Sequence, residues 1–266
     1  FLGGAGLAVG GAVFQAIFRN PLATPYILGV AAGASFGVAI VARIGIGVVI
    51  LGLGLQSWSA LAGALLAVAV VWVVTKLRPD AATSTLLLAG VSLNFFFSSL
   101  ILFLQYTASF ADAYRVLRWL MGGLGGVDAS SVIQMAPFVL VGMLVIFGFG
   151  RELDLLATGS ELASSRGVAV ARTRTTLFIA TSVMVGGVVA ACGPVGFVGM
   201  MSPHICRLLL GSGHRLLLPM SAVFGGAFLV LCDVAARTII APAELPVGVI
   251  TAFLGAPFFL WLLLRK

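Results

Sequence analysis

The sequence TSTLLLAGVSLNFFFSSLILFLQY, residues Thr83–Tyr106, contains no charged side chain. A helix that crosses a bilayer needs roughly 20 predominantly apolar residues, and this stretch is longer than that. The rest of the chain has the same character, because 61% of the 266 residues are hydrophobic and only 9% are charged. A soluble domain carries about 25% charged residues. The sequence therefore predicts an all-α protein that crosses a membrane several times.

Nine apolar segments are predicted to span the membrane. They are Phe1–Phe18, Tyr26–Ala42, Ser59–Thr75, Thr83–Tyr106, Val132–Phe149, Thr175–Cys192, Val195–Leu210, Leu217–Ile240 and Pro246–Leu264. A further apolar stretch, Ile44–Leu55, is short and rich in glycine, so we expect an interfacial or partly buried connection there. A short surface helix is expected at Arg115–Met121.

Glycines recur at helical spacing in two of these segments. Gly29, Gly33 and Gly37 lie four residues apart, and Gly6 and Gly10 form a second such pair. Small residues at this spacing leave a smooth stripe on one side of a helix and allow a neighbouring helix to approach closely. We therefore expect close helix contacts at both places.

The basic residues predict the orientation of the chain, because loops on the cytoplasmic side carry an excess of Lys and Arg. One set of loops holds eleven of them: Arg19, Lys76, Arg78, Arg151, Arg166, Arg172, Arg174, Arg207, Arg215, Arg265 and Lys266. The other set holds Arg43, Arg115, Arg118 and Arg237. The first set is therefore predicted to face the cytoplasm, and nine spans place Phe1 outside. We expect one more helix upstream of Phe1, which would return the N-terminus to the cytoplasm.

One long polar stretch interrupts the apolar chain. GRELDLLATGSELASSRGVAVARTRT, Gly150–Thr175, holds seven of the 23 charged residues and lies on the predicted cytoplasmic side. Thr158 and Glu161 have the spacing of a capping box at a helix start, and Gly167 suits the position just after a helix end. Thr158 and Gly159 are expected to form an elbow between two short helices.

The two predicted helices of this stretch are too short to be stable alone. Leu153, Leu155 and Leu156 suggest the first as a short turn of helix, and Leu162 and Ala163 would give the second an apolar side. Two interpretations stay open on this evidence. The helices lie on their own membrane domain, or they form a docking surface for a soluble cytoplasmic partner.

Several segments together resemble one family of membrane proteins. They are Gln15 with RNPLATPYILG (Arg19–Gly29), STLLLAGVSLN (Ser84–Asn94), WLMGGLGGVD (Trp119–Asp128), CGPVGFVGMMSPHICRLLLGSGHRLLLP (Cys192–Pro219) and DVAARTIIAPAELPVGVITAFLGAPFFLWLLLRK (Asp233–Lys266). The chain is similar in these segments to the permease subunits of binding-protein-dependent ABC importers for cobalamin, ferric siderophores and haem. The family has a first helix and an outer loop before the segment that opens here.

The resemblance implies a ten-helix permease fold in a bacterial inner (plasma) membrane, with residues 1–266 as one transmembrane domain. It implies three kinds of protein partner: a second permease subunit, identical or a sister, two ATPase subunits, and a periplasmic or lipid-anchored substrate-binding protein. Membrane lipid surrounds the assembly, and no nucleic acid is expected. ATP and Mg²⁺ are used by the ATPase subunits, so this chain is expected to bind no cofactor or metal and to hold no catalytic residue.

The resemblance also implies roles for individual residues. It implies that the coupling helices, about 153–168, sit in a cleft of the ATPase, with the coupling residues Leu153, Leu156, Glu161, Ala163, Arg166, Gly167 and Val168. The inner gate comprises the RNPLA loop, with Asn20 and Leu22, and the ATST loop Ala82–Thr85, with Thr83, Ser84 and Thr85. Arg237 matches an arginine that pairs with a carboxylate of the binding protein.

Asp233 and Arg237 also allow a simpler interpretation. They lie four residues apart, so they could pair with each other on one helix. An outward-facing arginine could instead hold a carboxylate through two parallel hydrogen bonds. Both interpretations stay open.

The chain has two histidines. His214 is expected at the cytoplasmic surface as an interface residue, and His204 is expected to be a packed, hydrogen-bonding side chain.

Other function classes find little support in the sequence. The chain has no G-x-x-x-x-G-K-[ST] loop to cradle ATP phosphates. GASFG, Gly33–Gly37, matches a nucleophile pattern but lies inside a helix of small residues rather than at a strand-to-helix turn. The main alternative is an ion-coupled secondary transporter, which often places ionisable residues in broken helices near the membrane centre. Here the charges lie at the ends of the spans, which disfavours ion coupling.

Overall fold

The computed structural model describes residues 1–45, 48–50, 53–77 and 83–264. Within these ranges the chain forms twelve α-helices, one short 3₁₀ helix at Pro25–Leu28 and a two-stranded antiparallel hairpin. The helices are α1 Leu2–Phe18, α2 Val30–Ile44, α3 Leu55–Leu77, α4 Thr83–Tyr106, α5 Phe110–Leu120, α6 Ala129–Gly148, α7 Gly150–Thr158, α8 Ser160–Ser165, α9 Val170–Cys192, α10 Val198–Leu210, α11 His214–Thr238 and α12 Val247–Leu264. The strands are β1 Val49–Ile50 and β2 Leu53–Gly54.

Each of the nine predicted spans corresponds to an apolar helix. Five helices of the described chain are long and apolar enough to cross a membrane, over Leu55–Val74, Leu87–Tyr106, Ala129–Gly148, Val170–Cys192 and His214–Thr238. Four shorter apolar helices follow the remaining predictions: Leu2–Phe18, Val30–Ile44, Val198–Leu210 and Val247–Leu262. The predicted all-α membrane architecture is confirmed.

The second predicted span is not one continuous helix. The chain forms a 3₁₀ turn at Pro25–Leu28, passes through Gly29 with φ +83°, and only then begins α2 at Val30. A positive φ is readily available to glycine and ends regular α-helix. Gly29 is therefore a junction between two helices, whereas the sequence pattern placed it within a helix.

Two predicted connections differ in detail from the structure. The Ile44–Leu55 stretch contains the β1–β2 hairpin, and its residues 46–47 and 51–52 lie outside the described residues. The predicted surface helix begins earlier than expected, at Phe110. Ser109 explains this start, because its hydroxyl accepts a hydrogen bond from the backbone N–H of Asp112 at 3.2 Å and so caps the helix.

Helix α1 lies at the centre of the bundle. Every residue from Gly3 to Phe18 is buried, and the helix packs against α6, α7, α9, α10 and α11. Two contacts are close enough to exclude any side chain. A Cβ placed on Gly4 would lie 2.2 Å from the carbonyl oxygen of Gly225 in α11, and one on Gly11 would lie 1.5 Å from the carbonyl oxygen of Gly199 in α10. Helices α1, α10 and α11 therefore form one tightly packed unit.

The predicted glycine contacts are present at both places. A Cβ on Gly33 would lie 2.3 Å from the carbonyl oxygen of Gly63, and one on Gly37 would lie 2.0 Å from that of Ser59, so α2 and α3 meet backbone to backbone. On α1, a Cβ on Gly10 would lie 2.9 Å from a methyl group of Val185. Small residues allow this approach where lipid supplies no hydrophobic driving force between helices.

Asp128 caps the N-terminus of α6. One of its carboxylate oxygens accepts hydrogen bonds from the Ser131 hydroxyl at 2.6 Å and from the Ser131 backbone N–H at 2.8 Å, and the Ser130 hydroxyl donates to the carboxylate at 2.9 Å. These bonds, led by the one from the Ser131 hydroxyl, lower the pKa of Asp128 to about 2. An unperturbed aspartate has a pKa of about 3.9.

This cap predicts a pH-dependent contribution to stability. Because the folded-state pKa lies below the unfolded one, the contribution is fully present above about pH 4 and is lost as the pH falls towards 2. We expect Asp128→Ala to lower the thermal unfolding midpoint of the detergent-solubilised protein at pH 6, with the difference from wild type shrinking below pH 4. A difference that stays constant between pH 6 and pH 3 would show that the carboxylate does not stabilise α6.

Candidate functional site

The polar stretch folds into two short helices joined at Gly159, as the sequence predicts. Helix α7 ends at Thr158, Gly159 has φ +139°, and α8 begins at Ser160. The predicted capping box is wrong. The Thr158 hydroxyl donates instead to the carbonyl of Leu155 at 2.8 Å, because Thr158 lies in the last turn of α7, where a carbonyl of its own helix is in reach. Gly167 has φ +82°, as expected for a residue after a helix end.

Three of the predicted coupling residues attach the two short helices to the membrane domain. Leu153 and Leu156 on α7 and Ala163 on α8 are fully buried in the main hydrophobic cluster. Leu162, predicted to share the apolar side of α8, is 43% exposed. Burial of these three side chains holds α7 and α8 rigidly against the bundle, which short helices require for stability.

The other predicted coupling residues form the accessible surface of the segment. Glu161, Arg166 and Gly167 are exposed, and Val168 is half-buried. Glu161 lies in the first turn of α8, where a carboxylate interacts favourably with the helix dipole. The segment thus has an apolar inner side that belongs to the domain and a charged outer side that is free to meet a partner. We call the exposed set Glu161, Arg166 and Gly167 the coupling surface.

Helix α7 is joined to the start of α11 by Asp154. One carboxylate oxygen of Asp154 lies 2.8 Å from the backbone nitrogen of His214 and 2.7 Å from its ring Nδ1. Because a carboxylate only accepts hydrogen bonds, the ring proton lies on Nδ1. His214 is buried rather than exposed at the surface as the sequence suggested, since its ring turns inward onto a side chain 60 residues away.

The first predicted gate loop follows α1. The Asn20 side-chain oxygen accepts from the backbone N–H of Leu22 at 2.9 Å, which stabilises the turn, and Leu22 is exposed. Leu22 lines an apolar cavity of about 240 Å³ together with Phe197 and Met200. The loop therefore presents an apolar side chain at the edge of an internal space.

The second predicted gate loop is described only in part. Ala82 lies outside the described residues. Thr83 begins α4, but the side chains of Thr83 and Ser84 are outside the described part of the structure. Thr85 is exposed in the first turn of this helix. The gate role of these residues stays a prediction.

A larger cavity of about 550 Å³ lies where the predicted cytoplasmic ends of α1, α7 and α10 meet the start of α11. Its lining includes Asn20, Asp154 and His214. Arg207 also lines it and donates to the side-chain oxygen of Gln15 at 3.0 Å. The elements that the basic residues assign to the cytoplasm thus converge around one polar opening.

The sequence reasoning missed a group of polar contacts inside the bundle. The Tyr26 hydroxyl accepts a hydrogen bond from the backbone N–H of Val195 at 3.2 Å. The side-chain amide of Asn94 donates to the carbonyls of Tyr26 and Ile27 at 3.2 and 2.9 Å. These bonds supply hydrogen-bond partners to backbone groups outside regular helix, because lipid around the apolar helices offers none. The available signal was the presence of Tyr and Asn within otherwise apolar segments.

The end of α11 that is predicted to face outward accommodates both interpretations of Arg237. Its Nε donates to the Asp233 carboxylate at 2.9 Å, so the pair within the helix does form. The Arg237 side chain nevertheless remains 44% exposed.

His204 packs edge-on against the rings of Phe258 and Phe259, at centroid distances of 6.1 and 6.0 Å. In the described part of the chain, no three His, Cys, Asp or Glu side chains cluster as a metal site would require.

Comparison with known proteins covers the whole chain. The FecCD transport family matches residues 1–265. The uncharacterised ABC transporter permease protein YvrB of Bacillus subtilis is 40% identical over 99% of this chain and 74% of its own length. The vitamin B12 import system permease protein BtuC of Escherichia coli is 43% identical over 98% of this chain and 79% of its own. The cobalamin import system permease protein BtuC of Halobacterium salinarum is 42% identical over 98% and 69%.

A solved structure shares the fold. It is described as an inward-facing conformation of a metal-chelate type ABC transporter and matches this chain with a TM-score of 0.91 at 30% identity, over 100% of this chain and 83% of that one. The permeases of the FecCD family are transmembrane subunits of ABC importers and are not themselves enzymes. The nine apolar helices, the polar α7–α8 segment and the family match along the whole length agree with one another. This chain therefore belongs to the FecCD transport family and is a multi-pass permease subunit of an ABC importer.

Proposed function

We propose that this chain forms half of a path through which a bulky metal chelate crosses the bacterial inner membrane, and that cobalamin is that chelate. The identity of 42–43% with two permeases named for vitamin B12 or cobalamin import carries this proposal. The similarity to a metal-chelate type transporter supports the wider substrate class. The other half of the path is a second permease subunit, either an identical copy or a sister chain.

The energy for transport comes from two ATPase subunits that bind the coupling surface. Leu153, Leu156 and Ala163 support this role, because their burial fixes α7 and α8 to the bundle. A displacement of the exposed Glu161 or Arg166 therefore moves the domain rather than a flexible loop. This chain binds no cofactor, and ATP and Mg²⁺ belong to the ATPase subunits. A segment that is rigid, charged on its outer side and apolar on its inner side suits this transfer of motion.

A substrate-binding protein, periplasmic or lipid-anchored, docks at the opposite end. The half-exposed Arg237 is the proposed contact for one of its carboxylates, since a guanidinium can bind a carboxylate with two hydrogen bonds. The gate residues Asn20, Leu22, Thr83, Ser84 and Thr85 close the path on the inner side. Motion of the coupling surface would open this gate when the outer end of the path is closed, and would close it when the outer end is open.

The test is uptake by the purified assembly in proteoliposomes. The permease is co-expressed with the ATPase and binding protein of its host and supplied with radiolabelled cyanocobalamin. We expect uptake that requires both ATP and the binding protein. An excess of unlabelled cobalamin should suppress this uptake, whereas an excess of a ferric siderophore or haem should not. Uptake by the permease without any ATPase subunit would contradict the ATP-driven mechanism. An assembly that takes up a labelled ferric siderophore or haem but no labelled cyanocobalamin would contradict cobalamin as the substrate.

A further inference from the structure

The start of α11 depends on a residue from another helix. Gly213 occupies the N-cap position and offers no side chain to the first N–H groups of the helix, which need acceptors. The carboxylate of Asp154 on α7 supplies one, at 2.8 Å from the backbone nitrogen of His214. The same oxygen holds the His214 ring at 2.7 Å. A residue of the coupling segment therefore caps a membrane helix across the interface between them.

The contact is anchored on both sides. The His214 side chain is only 4% exposed, whereas that of Asp154 is 41% exposed, so the histidine is held by the bundle and the aspartate reaches it from the surface. One turn earlier on α7, Gly150 lies against the backbone of Arg215, and an added Cβ there would be 3.7 Å from its nitrogen. Leu153 is buried between these two positions. The first turn of α11 therefore rests directly on α7.

Helix α11 connects this contact to the opposite side of the membrane. His214 and Arg237 lie 23 positions apart on this helix, which at 1.5 Å per residue is about 35 Å. Along the way α11 meets α1 at Gly4 and Gly225 without room for a side chain, and α1 leads directly into the gate loop at Asn20. A displacement of the α11 start would therefore reach both the gate loop and the outer arginine through close-packed helices.

We propose that the Asp154–His214 contact is the joint through which movement of α7 reaches α11, so that it sets how strongly a loaded binding protein stimulates ATP hydrolysis. Asp154 is in this view a positioning residue, because it acts through α11 and touches neither nucleotide nor substrate. The inference rests on the proposed function and adds a specific residue pair to it. Coupling between two sites is reciprocal for binding free energies, so the same joint would serve both directions across the membrane.

The experiment measures the ratio of ATP hydrolysis with and without the loaded binding protein, using the complete importer in nanodiscs. Asp154→Ala removes both hydrogen bonds and is expected to lower this ratio by about fivefold or more, which is the lower end of typical coupling between sites. Asp154→Asn keeps an oxygen that can accept from both the backbone and the ring of His214, as the single carboxylate oxygen does, and is expected to retain most of the ratio. Glu152→Ala is the matched control, because Glu152 lies on the same helix and makes no hydrogen bond to α11 in the described structure.

Five outcomes decide the proposal. A wild-type ratio in Asp154→Ala overturns the joint, and so does an equal reduction in Asp154→Ala, Asp154→Asn and Glu152→Ala, which would indicate general damage to α7. If Asp154→Ala fails to assemble, His214→Phe replaces it, because phenylalanine keeps the ring but loses the bond from Nδ1. A wild-type ratio in His214→Phe then overturns the joint, and a reduced ratio supports it. A wild-type chain that binds no ATPase would instead overturn the proposed function, and the joint with it.

Discussion

Replacing Glu161 with arginine is expected to lower ATP-driven uptake by more than tenfold while the permease remains folded. Glu161 is exposed in the first turn of α8, so its loss leaves the hydrophobic core untouched. We expect Glu161 to meet a basic group of the ATPase, so an arginine there brings like charges together. Such a contact costs several kcal/mol at an interface, and about 1.4 kcal/mol is a factor of ten in affinity. A positive charge at a helix N-terminus also opposes the helix dipole.

The measurement combines uptake in proteoliposomes with the amount of ATPase that co-purifies with the tagged permease. Both should fall together in Glu161→Arg, while the size-exclusion profile and thermal unfolding midpoint stay near those of wild type. Glu161→Gln is the milder control, since it keeps the shape of the side chain and loses only its charge, and a smaller reduction is expected. Wild-type uptake and ATPase retention in Glu161→Arg would show that Glu161 does not belong to the docking surface.

The second large effect is expected for Gly11→Ala, which should sharply reduce the amount of folded protein. The added Cβ would lie 1.5 Å from the carbonyl oxygen of Gly199 and 2.4 Å from its carbonyl carbon. Overpacking a core typically costs about 1–3 kcal/mol when side chains can rearrange. Here the obstacle is the backbone of α10, so α1 and α10 must separate, and we expect a cost above that range.

Thermal unfolding of the detergent-solubilised protein and the monodisperse yield measure this effect. Gly148→Ala is the matched control, because Gly148 is also helical but nothing in the described structure lies within 4 Å of an added Cβ. Alanine there is expected to be neutral or slightly stabilising, since it is the better helix former by about 1 kcal/mol. An unfolding midpoint for Gly11→Ala equal to that of wild type would contradict the close contact of α1 with α10.

The local properties of the chain were predictable from its sequence. Apolar runs of about 17 residues or more indicate a membrane helix, so each predicted span corresponds to a helix of the structure. The two short helices and their elbow at Gly159 could be predicted for the same reason, because turn and helix signals lie within a few neighbouring residues. The family could also be identified from motifs spread along the chain, and the match over residues 1–265 confirms it.

The predicted coupling residues show what could not be predicted from the sequence, namely which of their side chains are buried and which are exposed. The family resemblance placed seven residues in one functional group, whereas the structure divides them into a buried set, led by Leu153 and Leu156, and an exposed set that includes Glu161. A short helix in a polar stretch has too few turns for its pattern to show which side is covered. That is decided by the elements that pack against it.

By itself, the sequence determined that this protein is a bundle of apolar helices with one polar protrusion, because hydrophobicity, length and helix signals depend on residues close together in the chain. Only the tertiary structure decided that helix α2 starts after a break at Gly29, that His214 is buried, and that Asp154 holds it. These features depend on contacts between residues far apart in sequence. The apolar pattern is the same for a side chain that contacts lipid and for one that contacts another helix. The pattern therefore does not show which distant residues contact each other.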